Sequence, residues 1–280
     1  MFYQLPPVGN PICLDSDTRS TPSLDQCFSP YRARYYASGT AALAAALIAA
    51  RRLKDVDSPE VILPAYGCPD LVSAAVYAGL RPVLVDLEAN RPWMDPSQLC
   101  ARISPCTVAV VAANLFGISE RMAEIRLLIE RSGVVLIEDS AQAFPGQGEP
   151  DIWEGDLVVL SFGRGKPVSL LGGGAVLFRD GSLAEQLPPS EAKRADNLRN
   201  RVICHLGARL YNQMISPWLY WLPQSLPFLH LGETRYHPLT ELAAMDQVRL
   251  ALLPTNILAY QNHSMQVQHA IAEMLEAMSA

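Results

Sequence analysis

Short, almost wholly apolar runs alternate with helix-period segments from residue 35 to about residue 180, and this restricts the fold more than any other feature of the 280-residue chain. The runs are Val61–Pro64, Pro82–Leu87, Thr107–Leu115, Val134–Glu138, Leu157–Phe162 and Ala175–Phe178. A strand that is apolar on both faces needs cover on both. The pattern therefore predicts an α/β fold with a mostly parallel sheet between helices. The intervening segments carry helix signals. Gly39–Lys54 is rich in Ala and Leu and ends in cations, which suits the helix dipole. Pro69–Leu80 has Pro in its first turn and Gly79 near its end, and Ser119–Arg131 opens on a candidate Ser cap.

After about residue 182 the pattern changes. Segment 181–238 is rich in Arg, Asn, Pro and aromatics and reads as irregular or helical interface, while 239–280 reads as helix from Leu239 to Leu252, a break at Pro254, and helix again from Asn256. With an N-terminal arm over 1–34 and the α/β domain over 35–180, this completes the expected organisation. Ile215–Leu231 is the most apolar late stretch, broken by Pro217, Pro223 and Pro227. It is shorter than the roughly 20 residues of a membrane span. It reads as buried packing, with Trp218, Tyr220 and Trp221 in core or interface; a membrane or partner surface is the alternative.

Charge and cysteine usage exclude other classes. Lys plus Arg is 22 against 28 Asp plus Glu, a net −6 with no long basic run, so nucleic acid is not an expected partner. The six cysteines form no CxxC pair and the five histidines show no ligand spacing, so no metal site is expected. The first residues, MFYQLPPVGNPICLD, have neither a basic n-region nor an apolar h-region, and a cytoplasmic location is expected.

In open parallel sheets ligands bind at the carboxyl ends of the strands. Ser38-Gly39-Thr40 stands there between a strand-like RYYA and a helix. Its N–H groups and hydroxyl make an anion cup suited to phosphate, although taken alone it equally reads as an N-cap. Asp139 directly follows the run VVLIE, where burial is costly without a cationic partner. A helix cap or metal carboxylate is the alternative, and Glu138 reads as a structural ion-pair residue. Lys166 follows in SFGRGK before the glycine run 172–174. An amine there can be desolvated and nucleophilic, as a Schiff-base lysine must be; alone it also reads as a loop lysine. Together these parts can hold pyridoxal 5′-phosphate. The cup and Ser161 take the phosphate, Asp139 keeps the ring nitrogen protonated, and Lys166 forms the internal aldimine.

The chain resembles the DegT/DnrJ/EryC1/StrS family, the sugar-aminotransferase branch of fold type I pyridoxal-phosphate enzymes. The likeness runs through ASGTAALAAAL (37–47), VILPAYGCPDLVSAAVYAGLRPVLVDLE (61–88), LFGISERMAEIRLLIERSGVVLIEDSAQAFPG (115–146) and GDLVVLSFGRGKPVSLLGGGAVLF (155–178), with LTELAAMDQVRLALL (239–253) similar to a later family helix. The resemblance implies Lys166 as aldimine lysine, Asp139 as pyridinium partner, Gln142 beside the ring, and Gly39, Thr40 and Ser161 on the phosphate. It implies transfer of an amino group, typically from glutamate, to a keto-sugar nucleotide by a homodimer. Three departures stand out. The family's ring-stacking aromatic aligns with Cys68, with Tyr66 two residues earlier. The partner-subunit Asn that reaches the phosphate has two candidates, Asn197 and Asn200. A small C-terminal domain is expected to be missing, so the chain reads as truncated. Arg164 is a candidate for a substrate phosphate or a solvated loop residue. Alternatives to the sugar aminotransferase are other pyridoxal-phosphate chemistry on a non-sugar substrate, and a non-catalytic homologue acting as a dimer partner.

Overall fold

The computed structural model describes residues 9–14, 22–130, 132–146, 153–179, 181–190, 198–221, 225 and 235–279. Seven strands form one sheet in the order β1-β7-β6-β5-β4-β2-β3. They are β1 (Arg32–Tyr36), β2 (Glu60–Pro64), β3 (Arg81–Val85), β4 (Thr107–Ala113), β5 (Val135–Asp139), β6 (Leu157–Ser161) and β7 (Gly174–Phe178). From β3 to β6 every neighbouring pair is parallel, whereas β7 runs antiparallel to both β6 and β1. The mostly parallel α/β fold expected from the apolar runs is the fold observed.

Strand periodicity sends alternate side chains to opposite faces. Val61, Leu63, Ala109, Val111, Val135, Ile137 and Val159 pack on one side with helices α2 (Gly39–Leu53) and α3 (Asp70–Tyr77). On the other, Ile62, Val110, Ala112 and Leu136 pack with α4 (Pro96–Arg102) and α5 (Met122–Ile129). Helix α2 is buried nearly all round, with nine of its residues inside. Its alanines let it lie close to β6, β7 and α3 and cost little side-chain entropy in helical form. Further along lie α1 (Leu24–Cys27), α6 (Gly181–Gln186), α7 (Leu198–Met214) and α8 (Gln247–Ser279).

Four expectations are corrected. The terminal helix starts at Gln247, not Leu239, because Ala243 and Ala244 instead pair with the backbone near β1: the Ala243 carbonyl accepts the Ala37 N–H, and Ala244 bridges Tyr36. Pro254 lies inside α8 and does not break it. The missing N–H costs one ladder bond, and burial of Leu252, Leu253 and Ile257 in the core holds the turn. Ser119 caps nothing, since α5 begins at Met122 behind Arg121, with no side-chain cap. Finally, Trp218 and Trp221 are not in the core: they are 75% and 63% exposed, which leaves the interface or surface readings. Residues 222–224 and 226–231 of that apolar stretch lie outside the described residues.

Candidate functional site

The parallel strands end on one cleft of about 630 Å³, counting the open solvent at its mouth. Gly39, Thr40, Cys68, Asp70, Asn114, Asp139, Gln142, Ser161 and Lys166 line it. The register explains the convergence. Asp139, the last residue of β5, sits between Ala113 of β4 and Val159 of β6, and these two also face the cleft.

At the start of α2, the Ser38 hydroxyl accepts the Ala41 N–H at 3.1 Å. Ser38 is thus an N-cap, and the N–H groups of Gly39 and Thr40 have, by helix geometry, no intrahelical acceptor. Gly39 is required by close approach: a Cβ there would lie 2.6 Å from Ser161 Cβ and 2.8 Å from its Oγ. The glycine turn before β7 is equally constrained, since Gly173 has φ +99° and a Cβ on it would meet Met245 at 2.7 Å. The Thr40 hydroxyl donates to Asp70 Oδ2 at 3.0 Å. Asp70, in the first turn of α3, was not singled out in the sequence, where nothing marks it beyond its place at a helix start.

Asp139 accepts the Ala141 N–H at 3.0 Å. Burial pushes its carboxyl above the usual range, against the opposing pull of that N–H and of the Lys166 charge. Burial also raises the Cys68 thiol, with the nearby Asp70 backbone and Lys166 acting to lower it. Glu138 points to the opposite face and forms no ion pair among the described residues, against the expectation of a structural ion-pair residue. Its carboxylate takes hydrogen bonds from Asn114 Nδ2 at 2.9 Å and from the Glu154 and Gly155 N–H groups at 2.8 and 3.0 Å. Asn114 is a second residue the sequence reading passed over, although its position just past β4 obeys the strand-end rule. It also donates to Ser140 and accepts from the Glu120 N–H, locking the ends of β4 and β5 together.

Of the two candidates for the ring face, Cys68 lines the cleft and Tyr66 does not. Tyr66 is exposed and packs against Phe116, ring centroids 6.0 Å apart. Phe116 has φ 58°, and its N–H donates to Gln142 Oε1 at 2.8 Å. Arg164 lies with Phe116, Gln142 and Lys166 around a more open groove at the mouth. Asn197 lies outside the described residues; Asn200 sits in the first turn of α7. Among the described residues no cluster of three or more His, Cys, Asp or Glu could hold a metal, and no helix is long and apolar enough to cross a membrane.

The residues present fit pyridoxal phosphate. A glycine cradle that a Cβ would fill faces a serine, and a half-buried strand-end carboxylate lacking a full counter-charge faces the same cleft as a lysine. A cleft of this kind at the parallel strand ends of such a sheet defines the large domain of a fold type I pyridoxal-phosphate enzyme. The family model for DegT/DnrJ/EryC1/StrS aminotransferases matches residues 32–200, and the chain belongs to that family. Protein MosB of Rhizobium meliloti is 34% identical over 152 residues, which cover 54% of this chain and 29% of MosB. The UDP-N-acetyl-3-dehydro-alpha-D-glucosamine 3-aminotransferase of Acidithiobacillus ferrooxidans is 34% identical over 156 residues, 54% of this chain and 41% of that protein. The chain thus spans less than half the length of these curated relatives. Among solved structures, S. venezuelae DesV in complex with a ketimine intermediate aligns with TM-score 0.57 at 25% identity, over 82% of this chain and 53% of DesV. A DegT DnrJ EryC1 StrS aminotransferase from Brucella abortus shares the fold with TM-score 0.59 at 22% identity, over 85% of this chain and 57% of its own.

Proposed function

We propose that the protein is a pyridoxal-phosphate-dependent aminotransferase acting on a keto-sugar nucleotide or a similar carbonyl compound. The amino group comes from glutamate, which leaves as 2-oxoglutarate, while the acceptor's carbonyl becomes an amine. The observation that carries this reading is the convergence of Lys166, Asp139, Ser161 and the Gly39 cradle on one cleft. The Acidithiobacillus relative, named for amination of a nucleotide-linked dehydro-sugar, supports the acceptor class.

The cofactor, when bound, supplies an aldehyde that joins an amine and a protonated ring that draws electrons from the adjoining carbon. The chain's own residues do the rest. The Gly39 and Thr40 N–H groups, at the positive end of the α2 dipole, and Ser161 bind the phosphate. Asp139 holds the proton on the ring nitrogen, and a cation there supplies the counter-charge its half-buried carboxylate lacks. Gln142 flanks the ring, fixed by Phe116. Lys166 Nζ would be the attachment point and, once released, the base that moves a proton from the amino-bearing carbon of the donor to the cofactor's aldehyde carbon and, in the second half-reaction, from that carbon to the acceptor carbon. Cys68 lies against one side of the cleft where an aromatic would otherwise stack. The protein works as a homodimer in the cytoplasm, with Asn197 or Asn200 of the second copy reaching the phosphate.

Reconstitution tests the reading. The full chain with pyridoxal phosphate gives a visible absorbance band, and Lys166→Ala abolishes it and lowers amino transfer about 10³-fold or more. An unchanged band in that variant contradicts the assignment.

A further inference from the structure

Helix α7 meets the body through Cys204, Ala208, Tyr211 and Asn212 and is also apolar on the side that faces solvent. Inward, Ala208 is buried, and Asn212 exchanges two hydrogen bonds with the backbone of Ile12, each 2.8 Å. Outward, Val202, Leu206 and Leu210 recur every fourth residue with Ile203 beside them, one continuous stripe by helix geometry. All four are about half exposed, Leu206 at 57%. The stripe leads on to the exposed Trp218, Leu219 and Trp221. Isolated exposed apolar residues need no explanation, but a contiguous stripe ending in two tryptophans does.

The charges around the stripe select its occupant. From Leu198 to Trp221 the sequence carries Arg199, Arg201 and Arg209 and neither Asp nor Glu, in a chain of net charge −6. All three arginines are exposed, and helix geometry puts Arg199 and Arg209 on the same side as the stripe. A second copy docked here by a twofold axis would bring the same patch, which from Leu198 to Trp221 offers no Asp or Glu to meet these arginines. An anionic surface would meet them. An apolar stripe flanked by Arg and followed by exposed Trp is the pattern of a helix lying in the plane of a lipid interface.

We infer that α7 and the turn after it dock the protein peripherally on an anionic membrane surface, with the Val202–Leu210 stripe and Trp218 and Trp221 entering the headgroup boundary and the arginines meeting lipid phosphates. The face is separate from the cleft, and Asn200 lies roughly a third of a turn round α7 from Leu206. The inference therefore stands or falls independently of the proposed chemistry.

Flotation of the full chain with vesicles tests it. The chain co-floats with phosphatidylcholine vesicles containing about 30% phosphatidylglycerol and is released by high salt. Arg199→Gln with Arg209→Gln lowers partitioning by about 25-fold, roughly fivefold for each charge. Leu206→Gln with Leu210→Gln lowers it about tenfold or more, with far-UV circular dichroism unchanged because these side chains are exposed. The inference is overturned if the native chain stays with the soluble fraction, or if it binds pure phosphatidylcholine equally well. It is also overturned if the Leu pair instead splits a dimer, by sedimentation velocity, without changing vesicle binding.

Discussion

Asp139 and Asp70 place two carboxylates in a cleft that is read as binding a phosphate and a ring cation, and they act in opposite senses. Asp139 has its pKa raised by burial, so its charged form is disfavoured in the folded protein. The sign follows from linkage: the folded state is favoured below the ordinary Asp range and loses that advantage as pH rises through the elevated value. Asp139→Asn is therefore expected to raise the Tm of the cofactor-free protein at neutral pH, with the gain shrinking as pH falls from the elevated value to the ordinary Asp range. The same variant weakens the cofactor-loaded enzyme, because no carboxylate then holds the ring proton. Asp70 takes the Thr40 hydroxyl proton and sets a negative charge near the phosphate cup. Asp70→Ala frees that hydroxyl as a donor and is expected to tighten pyridoxal phosphate binding several-fold by absorbance titration. It costs about 0.5 kcal/mol of stability at the N-terminus of α3. Looser binding would show that Asp70 orients the cup and does not oppose it.

The elements were legible to different degrees, for physical reasons. Core strands such as β4 and β6 are apolar throughout because both faces are covered, and this is a sequence signal that survives folding. Helix ends were less legible. Ser119 has the right chemistry for a cap, yet α5 starts three residues later, where Glu120 is held by the Asn114 network. The non-helical stretch before α8 was missed because its fate depends on pairing with a strand some two hundred residues away. In the site, Lys166, Asp139 and Ser161 were readable because each ends or follows a buried strand. Asn114 and Asp70 were not, since their roles rest on partners that only the fold brings near. Ser38 tests the element scale directly. Its hydroxyl caps α2 at the Ala41 N–H, so Ser38→Ala should cost about 1 kcal/mol in urea denaturation. Gly39→Ala should do more, because its Cβ meets Ser161; it is expected to abolish cofactor binding even where the protein still folds.

At the scale of the molecule, the sheet order sets β4, β5 and β6 side by side, so that residues remote in sequence share one cleft. The α7 face lies apart from it. Cofactor binding couples the whole: at a hundred times its dissociation constant a ligand that binds only the folded state adds about 2.7 kcal/mol, so pyridoxal phosphate should raise Tm in the native chain and much less in Lys166→Ala. The most direct measurement is the visible spectrum of the full chain with pyridoxal phosphate, before and after glutamate is added. The expected result is a band that forms with the cofactor, bleaches on addition of glutamate as 2-oxoglutarate appears, and returns when an acceptor is supplied. A band that forms and is indifferent to glutamate and every other amino donor would contradict amino transfer at this cleft.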